Sequence, residues 1–368
     1  MKRVKLAVVG AGHLGRIHAK LLAAMPAVEL VAVVDPVASA REEVAGLYGA
    51  QPLADHRALL GQVDAAVIAT PTKFHHQVAL DFLRRGTPLL IEKPLAASVA
   101  EADELVVVAR RHNALLQVGH VERFNPALRA ATPHIGQPKF IEAVRASGFT
   151  FRSTDIGVVL DLMIHDLDVV LSLVGAPVVT ASALGLAVLG RNEDVAHARL
   201  EFANGCVANL SASRVSRATI RRMQIWSDTG YAEVDFGNRA ARVVRPGPWV
   251  LHRRLDVATV SRDAQEVLGR EIPEQHLPLE ELPVEPRNAL ADEQENFVRA
   301  VTGQGRIRVT GEDGRDALAV AERILESLRA HRWNGSAEGP TGPLAMPASS
   351  PLRGPHWHGA QAPLREAG

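Results

Sequence analysis

The sequence predicts an α/β protein in which a doubly wound parallel sheet is followed by an α+β domain with a large, mostly antiparallel open sheet. Apolar strand-like runs alternate with amphipathic helical stretches up to about residue 119. After residue 120, strand patterns become dense and helices few, and the end of the chain is rich in proline and glycine. We therefore predict a first domain over 1–121, a second over 122–333 and a disordered tail over 334–368.

The first domain consists of short apolar runs separated by helical patterns. Nearly continuous apolar strands that alternate with helices indicate a parallel sheet covered on both faces. Ligands of such sheets bind beyond the carboxyl ends of the strands, so functional residues are expected at that edge. The predicted strands cover 5–10, 29–35, 64–70, 88–92 and 115–119, and the clearest helices cover 13–25 and 98–112.

The second domain contains closely spaced β patterns joined by tight turns at 203–205 and 228–230, which predict hairpins. One helix is expected near 158–174. Two late helical patterns, over 288–303 and 312–331, are expected to pack back against the first domain. The predicted strands cover 139–147, 178–188, 196–203, 206–215, 220–228 and 231–236.

Composition excludes several classes of function. The 368 residues contain 41 basic and 41 acidic side chains, and this balance gives no global attraction to nucleic acid or to an anionic membrane. No apolar run reaches the roughly 18 residues that a membrane-spanning helix needs. The single cysteine, Cys206, cannot form an internal disulfide, and we expect a cytoplasmic protein. No histidine pair has a complementary carboxylate or cysteine set, so no metal site is predicted.

A glycine-rich loop follows the first predicted strand and opens the first predicted helix. Gly10, Gly12 and Gly15 form a GxGxxG pattern, with His13 and Leu14 between the last two glycines. The first glycine permits a tight turn, the second lets a pyrophosphate approach the backbone, and the third lets helix and strand pack closely. Free amides at the helix start would hold the phosphates. The loop predicts a dinucleotide-binding Rossmann domain, although such loops also serve turn geometry alone.

The second predicted strand ends at Asp35, twenty residues after Gly15. This is the spacing of a carboxylate that accepts hydrogen bonds from adenosine ribose hydroxyls. A carboxylate there would repel a 2′-phosphate, which favours NAD over NADP as the cofactor. The alternative is that Asp35 only begins the turn at Pro36.

The strand over 88–92 leads into Glu92-Lys93-Pro94, which places a lysine at the carboxyl edge of the sheet. The chain has six lysines against 35 arginines, so Lys93 is not simply the default basic residue. A lysine can donate a hydrogen bond to a substrate hydroxyl, and its pKa shifts when it is partly buried. Position alone leaves open that Lys93 is only solvated.

Asp161 and His165 are four residues apart on the predicted helix over 158–174, so they share one face, and Asp168 lies one turn further on. Their neighbours are apolar, which indicates a partly buried cleft. Histidine titrates near neutral pH and suits proton abstraction from an alcohol, while a carboxylate can orient or balance its partners. The alternative is a hydrogen-bonded histidine in a helix crossing.

Together these motifs resemble the Gfo/Idh/MocA oxidoreductase family over about residues 4 to 332. The resemblance implies that Lys93, Asp161 and His165 are the catalytic lysine, aspartate and histidine. It further implies homodimers or homotetramers formed through the open face of the second sheet. The motifs that carry it are the glycine loop with His18, Thr70-Pro71-Thr72 with His75, Glu92-Lys93-Pro94, and Asp161 with His165. The implied cofactor-binding residues are Gly10, Gly12, His13, Leu14, Gly15, Asp35, Thr70, Pro71, His75, Glu92 and Lys93.

Two further segments, 117–126 and 163–166, resemble the branch of that family that contains UDP-N-acetylglucosamine 3-dehydrogenases, which act in routes to amino-substituted lipid A. His120 stands where the common family pattern has a tyrosine. This branch implies an NAD-dependent oxidation of the 3-hydroxyl of a nucleotide sugar. The alternatives are an inositol or simple-sugar dehydrogenase, or a non-catalytic regulator that binds NAD and a sugar. The expected substrate-binding residues are Arg123, Asn125, Arg152 and His165, and the arginines that could meet a diphosphate also include Arg214, Arg217, Arg221 and Arg222.

Overall fold

The computed structural model describes residues 3–151, 156–189, 192–254, 256 and 259–331. Within this part of the chain, the strands form two sheets, as the sequence predicts, with six and eight strands in place of the five and six expected. The predicted tail lies outside the described residues, and so does Arg152, one of the expected substrate-binding residues.

The first sheet is parallel, with the strand order β3-β2-β1-β4-β5-β6. Its strands are β1 Val4–Val9, β2 Val28–Val34, β3 Gln51–Leu53, β4 Ala65–Ile68, β5 Leu89–Glu92 and β6 Leu116–Gly119. Each predicted strand is present. The edge strand β3 was not predicted, because it has only three residues, includes a proline and lacks a buried side chain.

Helices cover both faces of the first sheet. They are α1 His13–Ala23, α2 Ala38–Tyr48, α3 His75–Leu83 and α4 Val99–Arg111. Residues of β1 alternate between two apolar clusters, with Leu6 and Val8 in one and Ala7 and Val9 in the other. The central strand is thus buried on both sides, as its continuous apolar sequence predicts.

The second sheet has the order β14-β13-β12-β11-β7-β10-β9-β8, and its neighbours are antiparallel except for the parallel pair β7 and β10. The two hairpins are present. The unpredicted strands β13 and β14 are short, and β14 is the edge strand. The strands are β7 Pro138–Ala146, β8 Val178–Leu186, β9 Val195–Phe202, β10 Val207–Ser213, β11 Ile220–Ser227, β12 Gly230–Asp235, β13 Ala240–Val244 and β14 Leu279–Glu281.

The strands of the second sheet bury one face and leave the other accessible. In β11, Met223 and Ile225 are buried, whereas Arg222 and Trp226 are exposed. This alternation follows from the two-residue period of a strand. The buried face packs against α5 Pro126–Ala131, α6 Ile164–Val174 and α10 Gly311–Ala330. The other helices of this part of the chain are α7 Pro248–Leu251, α8 Arg262–Glu271 and α9 Ala289–Val301.

The two late helices return to the first domain, as expected. Phe297 and Val298 of α9 belong to the apolar cluster on one face of the first sheet. At the start of α10, Gly311 lies so close to β6 that a Cβ atom would come within 2.6 Å of Leu116, and Gly314 makes the same approach to Val118. The sheet and the returning helices therefore share one core.

No helix in the described part of the chain combines the length and the hydropathy needed to cross a bilayer.

Candidate active site

The glycine loop opens α1 towards the carboxyl edge of the first sheet. Gly10 has a φ of +106°, and a Cβ atom on it would lie 2.5 Å from the Ala69 carbonyl oxygen. A Cβ atom on Gly15 would lie 1.8 Å from the Gly10 carbonyl oxygen. Gly12 has open space around it, and His13 and Leu14 are exposed beside it. The loop thus leaves the start of α1 accessible to a phosphate, which suits a dinucleotide.

Asp35 supports this loop from the end of β2. Its carboxylate accepts hydrogen bonds from the backbone amides of Ala11, at 2.8 Å, and Val37, at 2.9 Å. Only 2% of the residue is exposed. Asp35 therefore fixes the glycine loop and also begins the turn after β2, while its contact with an adenosine ribose stays a prediction.

A cavity of about 240 Å³ lies beside Asp35, between the ends of β1, β2 and β4. It lies next to the glycine loop at the carboxyl edge of the sheet, where ligands of doubly wound sheets bind. The residues that line it include Val9, Val34, Pro36, His56, Arg57 and Thr70.

His75 joins the loop after β4 to the loop after β5. Its ring lies between two carbonyl oxygens, 2.8 Å from that of Thr70 and 2.9 Å from that of Pro94. The residue is 1% exposed, and burial lowers the pKa of its imidazole. Thr70 and Pro71 are partly exposed, but the Thr70 hydroxyl is buried and has no hydrogen-bond partner among the described residues. The structure therefore gives His75 a positioning role, while contact of Thr70 and Pro71 with the cofactor stays a prediction.

Glu92 is held beneath the site by a chain of buried side chains. Its carboxylate lies 2.7 Å from Nε2 of His18, whose Nδ1 lies 2.6 Å from the amide nitrogen of Gln294. Burial opposes ionisation of Glu92, but His18 and the charge of Lys93 hold its pKa below the ordinary value. Gln294 belongs to α9, so this chain ties the end of β5 to the returning helix. No sequence pattern pointed to Gln294, because its partners are about 200 residues or more away along the chain.

Lys93, at the end of β5, is in contact with Asp161, which precedes α6. The Lys93 ammonium donates to the Asp161 carbonyl oxygen at 2.7 Å and lies 3.3 Å from its carboxylate. Both side chains are mostly buried, with 13% and 21% of their surfaces exposed. Two of the three ammonium hydrogens are directed to Asp161, and the third remains for another acceptor.

Asp161 lies in a π-helical turn, Val159–Met163, rather than in the regular helix that the spacing predicts. The wider turn continues directly into α6, where His165 lies in the first turn. Single π-helical turns of this kind are frequent at functional sites. Sequence periodicity cannot distinguish such a turn, because its apolar positions also fit an α-helix.

His165 lies in the first turn of α6, within electrostatic range of Lys93. Burial lowers the pKa of its imidazole well below the ordinary value, and the positive charges of Lys93 and Arg145 lower it further. Its Nδ1 atom is buried and has no hydrogen-bond partner among the described residues. A neutral histidine can accept a proton, which is the property a general base requires.

A buried ion-pair network lies behind His165. Arg145 on β7 donates two hydrogen bonds to Asp166, at 2.8 and 2.9 Å, and a third to Glu122 at 2.8 Å. Burial raises the pKa of Asp166, although Arg145 opposes this effect. The network holds the start of α6 against the second sheet. It was not predicted, because a lone arginine in a strand pattern gives no sign of such partners.

Two of the expected substrate-binding residues are largely engaged within the protein. Asn125 is 6% exposed, accepts from the Ala127 amide and donates both amide hydrogens, to Glu122 and to the Phe236 carbonyl oxygen. Arg123 lies 3.5 Å from the carboxylate of Asp168. Burial raises the pKa of Asp168 to about 7, an effect that Arg123 opposes. Asn125 therefore caps α5, and a substrate contact by Arg123 stays a prediction.

His120 is enclosed at the end of β6, next to Lys93. Glu92 and Gly119 are paired in the sheet, so the residues that follow them, Lys93 and His120, leave neighbouring strands together. Burial and the charges of Lys93 and Arg123 lower the pKa of His120 to about 3. It is 0% exposed, so it cannot touch a substrate unless the site rearranges.

Comparison with sequence families matches the N-terminal and C-terminal parts of the chain to two profiles of the same family. The profile described as an oxidoreductase family with an NAD-binding Rossmann fold, from the Gfo/Idh/MocA group, matches residues 4–120. The C-terminal domain profile of the same group matches residues 128–233.

Two curated relatives match nearly their whole length. The UDP-N-acetylglucosamine 3-dehydrogenase of Acidithiobacillus ferrooxidans is 36% identical over 331 residues, which cover 90% of this chain and 99% of the relative. An inositol 2-dehydrogenase of Rhizobium meliloti is 28% identical over 348 residues, which cover 89% and 98%.

Solved structures agree with these relationships. The structure of the Acidithiobacillus enzyme, GnnA, has a TM-score of 0.78 at 35% identity and covers 90% of this chain and 99% of its own. Levoglucosan dehydrogenase, solved with NADH and levoglucosan, shares the fold with a TM-score of 0.74 at 19% identity, over 89% and 97% of the two chains. The chain belongs to the Gfo/Idh/MocA family of NAD-binding oxidoreductases.

Proposed function

We propose that the protein is an NAD-dependent dehydrogenase that oxidises the 3-hydroxyl of a nucleotide sugar such as UDP-N-acetylglucosamine. The observation that carries this proposal is the Lys93 ammonium, held 2.7 Å from the Asp161 carbonyl oxygen and within electrostatic range of His165. The similarity to the Acidithiobacillus 3-dehydrogenase supports the choice of substrate.

Three side chains have separate roles in the oxidation of the alcohol. When bound, NAD accepts the hydride that leaves the substrate carbon. His165 accepts the hydroxyl proton, since burial and neighbouring cations keep it unprotonated. Lys93 donates its remaining hydrogen to the oxygen as negative charge develops there, and Asp161 holds the ammonium in place.

Two alternative functions are separated from this one by a single assay. The inositol 2-dehydrogenase similarity favours a simple polyol as the substrate, and a regulator would bind NAD and sugar without turnover. The intact set of Lys93, Asp161 and His165 argues against a pure binding protein. The test is NAD reduction with UDP-N-acetylglucosamine, free N-acetylglucosamine and myo-inositol. Turnover of myo-inositol alone would reject the nucleotide sugar as substrate. Binding of NAD and sugar without turnover of any of the three compounds would reject the enzymatic function.

Replacement of Lys93 by alanine tests its catalytic role. We expect kcat to fall by about 10²- to 10³-fold, because a preorganised donor to the developing oxyanion is lost. The dissociation constant of NAD should stay within about twofold, since the glycine loop is unchanged. Lys139→Ala, which removes an exposed lysine of β7, is the matched control and should keep full activity. Normal turnover of Lys93→Ala would remove this residue from the mechanism.

We also propose that the protein self-associates through the accessible face of the second sheet. Trp226 lies on that face with Phe140 and Tyr231, at ring-centroid distances of 5.3 and 5.1 Å. Aromatic residues are enriched at protein interfaces. A hollow of about 780 Å³ on the same face would be filled by a second copy.

We place the enzyme in the cytoplasm, in a route to amino-substituted lipid A.

A further inference from the structure

Arg221 is exposed on the same side of the second sheet as the catalytic helix. It precedes the buried residues Met223 and Ile225 at two-residue intervals, so all three side chains leave β11 on one side. That side faces α6. The neighbouring residue, Arg222, leaves the strand on the opposite side and lines the hollow on the accessible face.

The pairing of β11 with β7 brings Arg221 close to His165. Arg221 lies directly opposite Arg145, whose guanidinium is bonded to Asp166, the residue after His165. Directly opposed residues of antiparallel strands point to the same face. The charge of Arg221 is also among those that lower the pKa of His165, which places it within electrostatic range of the general base.

Two other arginines near this site, Arg145 and Arg214, are engaged within the protein. Arg145 is buried against Asp166 and Glu122. Arg214 is buried, bonds to Asp194 at 2.6 Å and donates to the Ile156 carbonyl oxygen at 2.7 Å. Arg221, in contrast, is exposed and its guanidinium forms no hydrogen bond or ion pair with any described residue.

We propose that Arg221 binds the diphosphate of the nucleotide-sugar substrate and so determines that the enzyme accepts a nucleotide sugar rather than a free sugar. This inference rests on the proposed function. The diphosphate is attached to the sugar carbon next but one to the 3-carbon, so its binding group must lie near the base that deprotonates the 3-hydroxyl. A guanidinium matches phosphate oxygens with two parallel hydrogen bonds.

Calorimetric titration of the NAD-loaded protein with UDP tests the contact without turnover. We expect UDP to bind the unmodified protein, and Arg221→Gln to weaken it by about 10- to 100-fold, the usual effect of losing a charged hydrogen-bonding pair. Arg221→Lys should recover part of the affinity, because the charge remains. Arg222→Gln, on the opposite side of the same strand, should bind UDP normally. Failure of UDP to bind, or equal affinity in Arg221→Gln, would overturn the inference.

Kinetic measurements separate failure of this inference from failure of the proposed function. In Arg221→Gln, KM for UDP-N-acetylglucosamine should rise about tenfold or more, whereas Arg222→Gln should leave it unchanged. Turnover of free sugars by a protein that does not bind UDP would reject the role of Arg221 and keep a dehydrogenase. UDP binding that depends on Arg221, without NAD reduction by any sugar, would reject the enzyme and keep the contact.

Discussion

Glu293 is a carboxylic acid enclosed between α9 and the first sheet. It is 0% exposed, and neither carboxyl oxygen has a hydrogen-bond partner among the described residues. Burial, together with the negative charges of Glu92 and Asp168, raises its pKa well above the ordinary value. The folded protein therefore keeps Glu293 protonated at a pH where the unfolded chain has lost that proton.

Replacement of Glu293 by glutamine should stabilise the protein, increasingly so as pH rises. The wild-type residue contributes fully to stability only below its unfolded pKa of about 4.3, and this contribution is lost as pH rises towards its raised folded pKa. The difference in free energy of unfolding should therefore grow by about 1.4 kcal/mol per pH unit above that value. Denaturant unfolding from pH 4.5 to 7.5 measures it. Parallel curves would contradict the assignment, and Glu266→Gln, which is exposed, is the control.

The position of a single residue could be predicted where its neighbours in the sequence determine it. Lys93 follows a strand of the parallel sheet, so its place at the carboxyl edge follows from the topology. Its contact with Asp161, 68 residues further along the chain, was implied only by the resemblance to the Gfo/Idh/MocA family. Arg145 could not be predicted in its observed role. Its partners Asp166 and Glu122 are more than 20 residues away along the chain and are brought to it only by the packing of other elements.

At the scale of elements, two glycines of the glycine loop are required for different reasons, one for folding and one for ligand binding. Gly15 is in contact with Gly10, so any side chain there must push α1 away from β1. Gly12 has a φ of −69°, and no atom lies within 4 Å of the point that a Cβ atom would occupy, so alanine fits the backbone and the space. The same motif thus contains one position that packing requires and one that only a ligand would require.

Alanine at Gly15 should therefore affect mainly stability, and alanine at Gly12 should affect mainly NAD binding. Gly15→Ala should destabilise the protein by about 3 kcal/mol, as overpacking does. Gly12→Ala should fold with near-normal stability but weaken NAD by about tenfold or more, since the new methyl group occupies the path of the pyrophosphate. Thermal unfolding and NAD titration of both variants measure the difference. Tight NAD binding by Gly12→Ala would contradict the proposed position of the phosphates.

Among the elements, long periodic segments were predictable and short edge strands were not. The strand over 64–70 and the helix over 98–112 have uninterrupted patterns, and both are present. The strands β3 and β14 contain three residues each and bury little, so sheet pairing rather than side-chain pattern defines them. The parallel pair β7 and β10 was also hidden, because a strand pattern does not reveal the direction of its neighbour.

At the scale of the whole molecule, we expect the protein to self-associate through the accessible face of the second sheet. Trp226→Glu places a charge among Phe140 and Tyr231, so we expect the assembly to dissociate. Sedimentation should give at least twice the chain mass of 39.5 kDa for the unmodified protein and a smaller assembly for the variant. Leu47→Glu, at an exposed leucine of α2, is the control and should not change the mass. A monomeric unmodified protein would contradict the proposed interface.

The return of α9 to the first sheet has a consequence for synthesis on the ribosome. Phe297 and Val298 complete the same apolar cluster as Leu6 and Val8, although nearly 300 residues separate them along the chain. The N-terminal sheet therefore leaves the exit tunnel with one side of its interior unfinished, and only the near-complete polypeptide can close it. An isolated fragment ending at residue 121 would expose that apolar surface and would be a poor stand-alone cofactor-binding module.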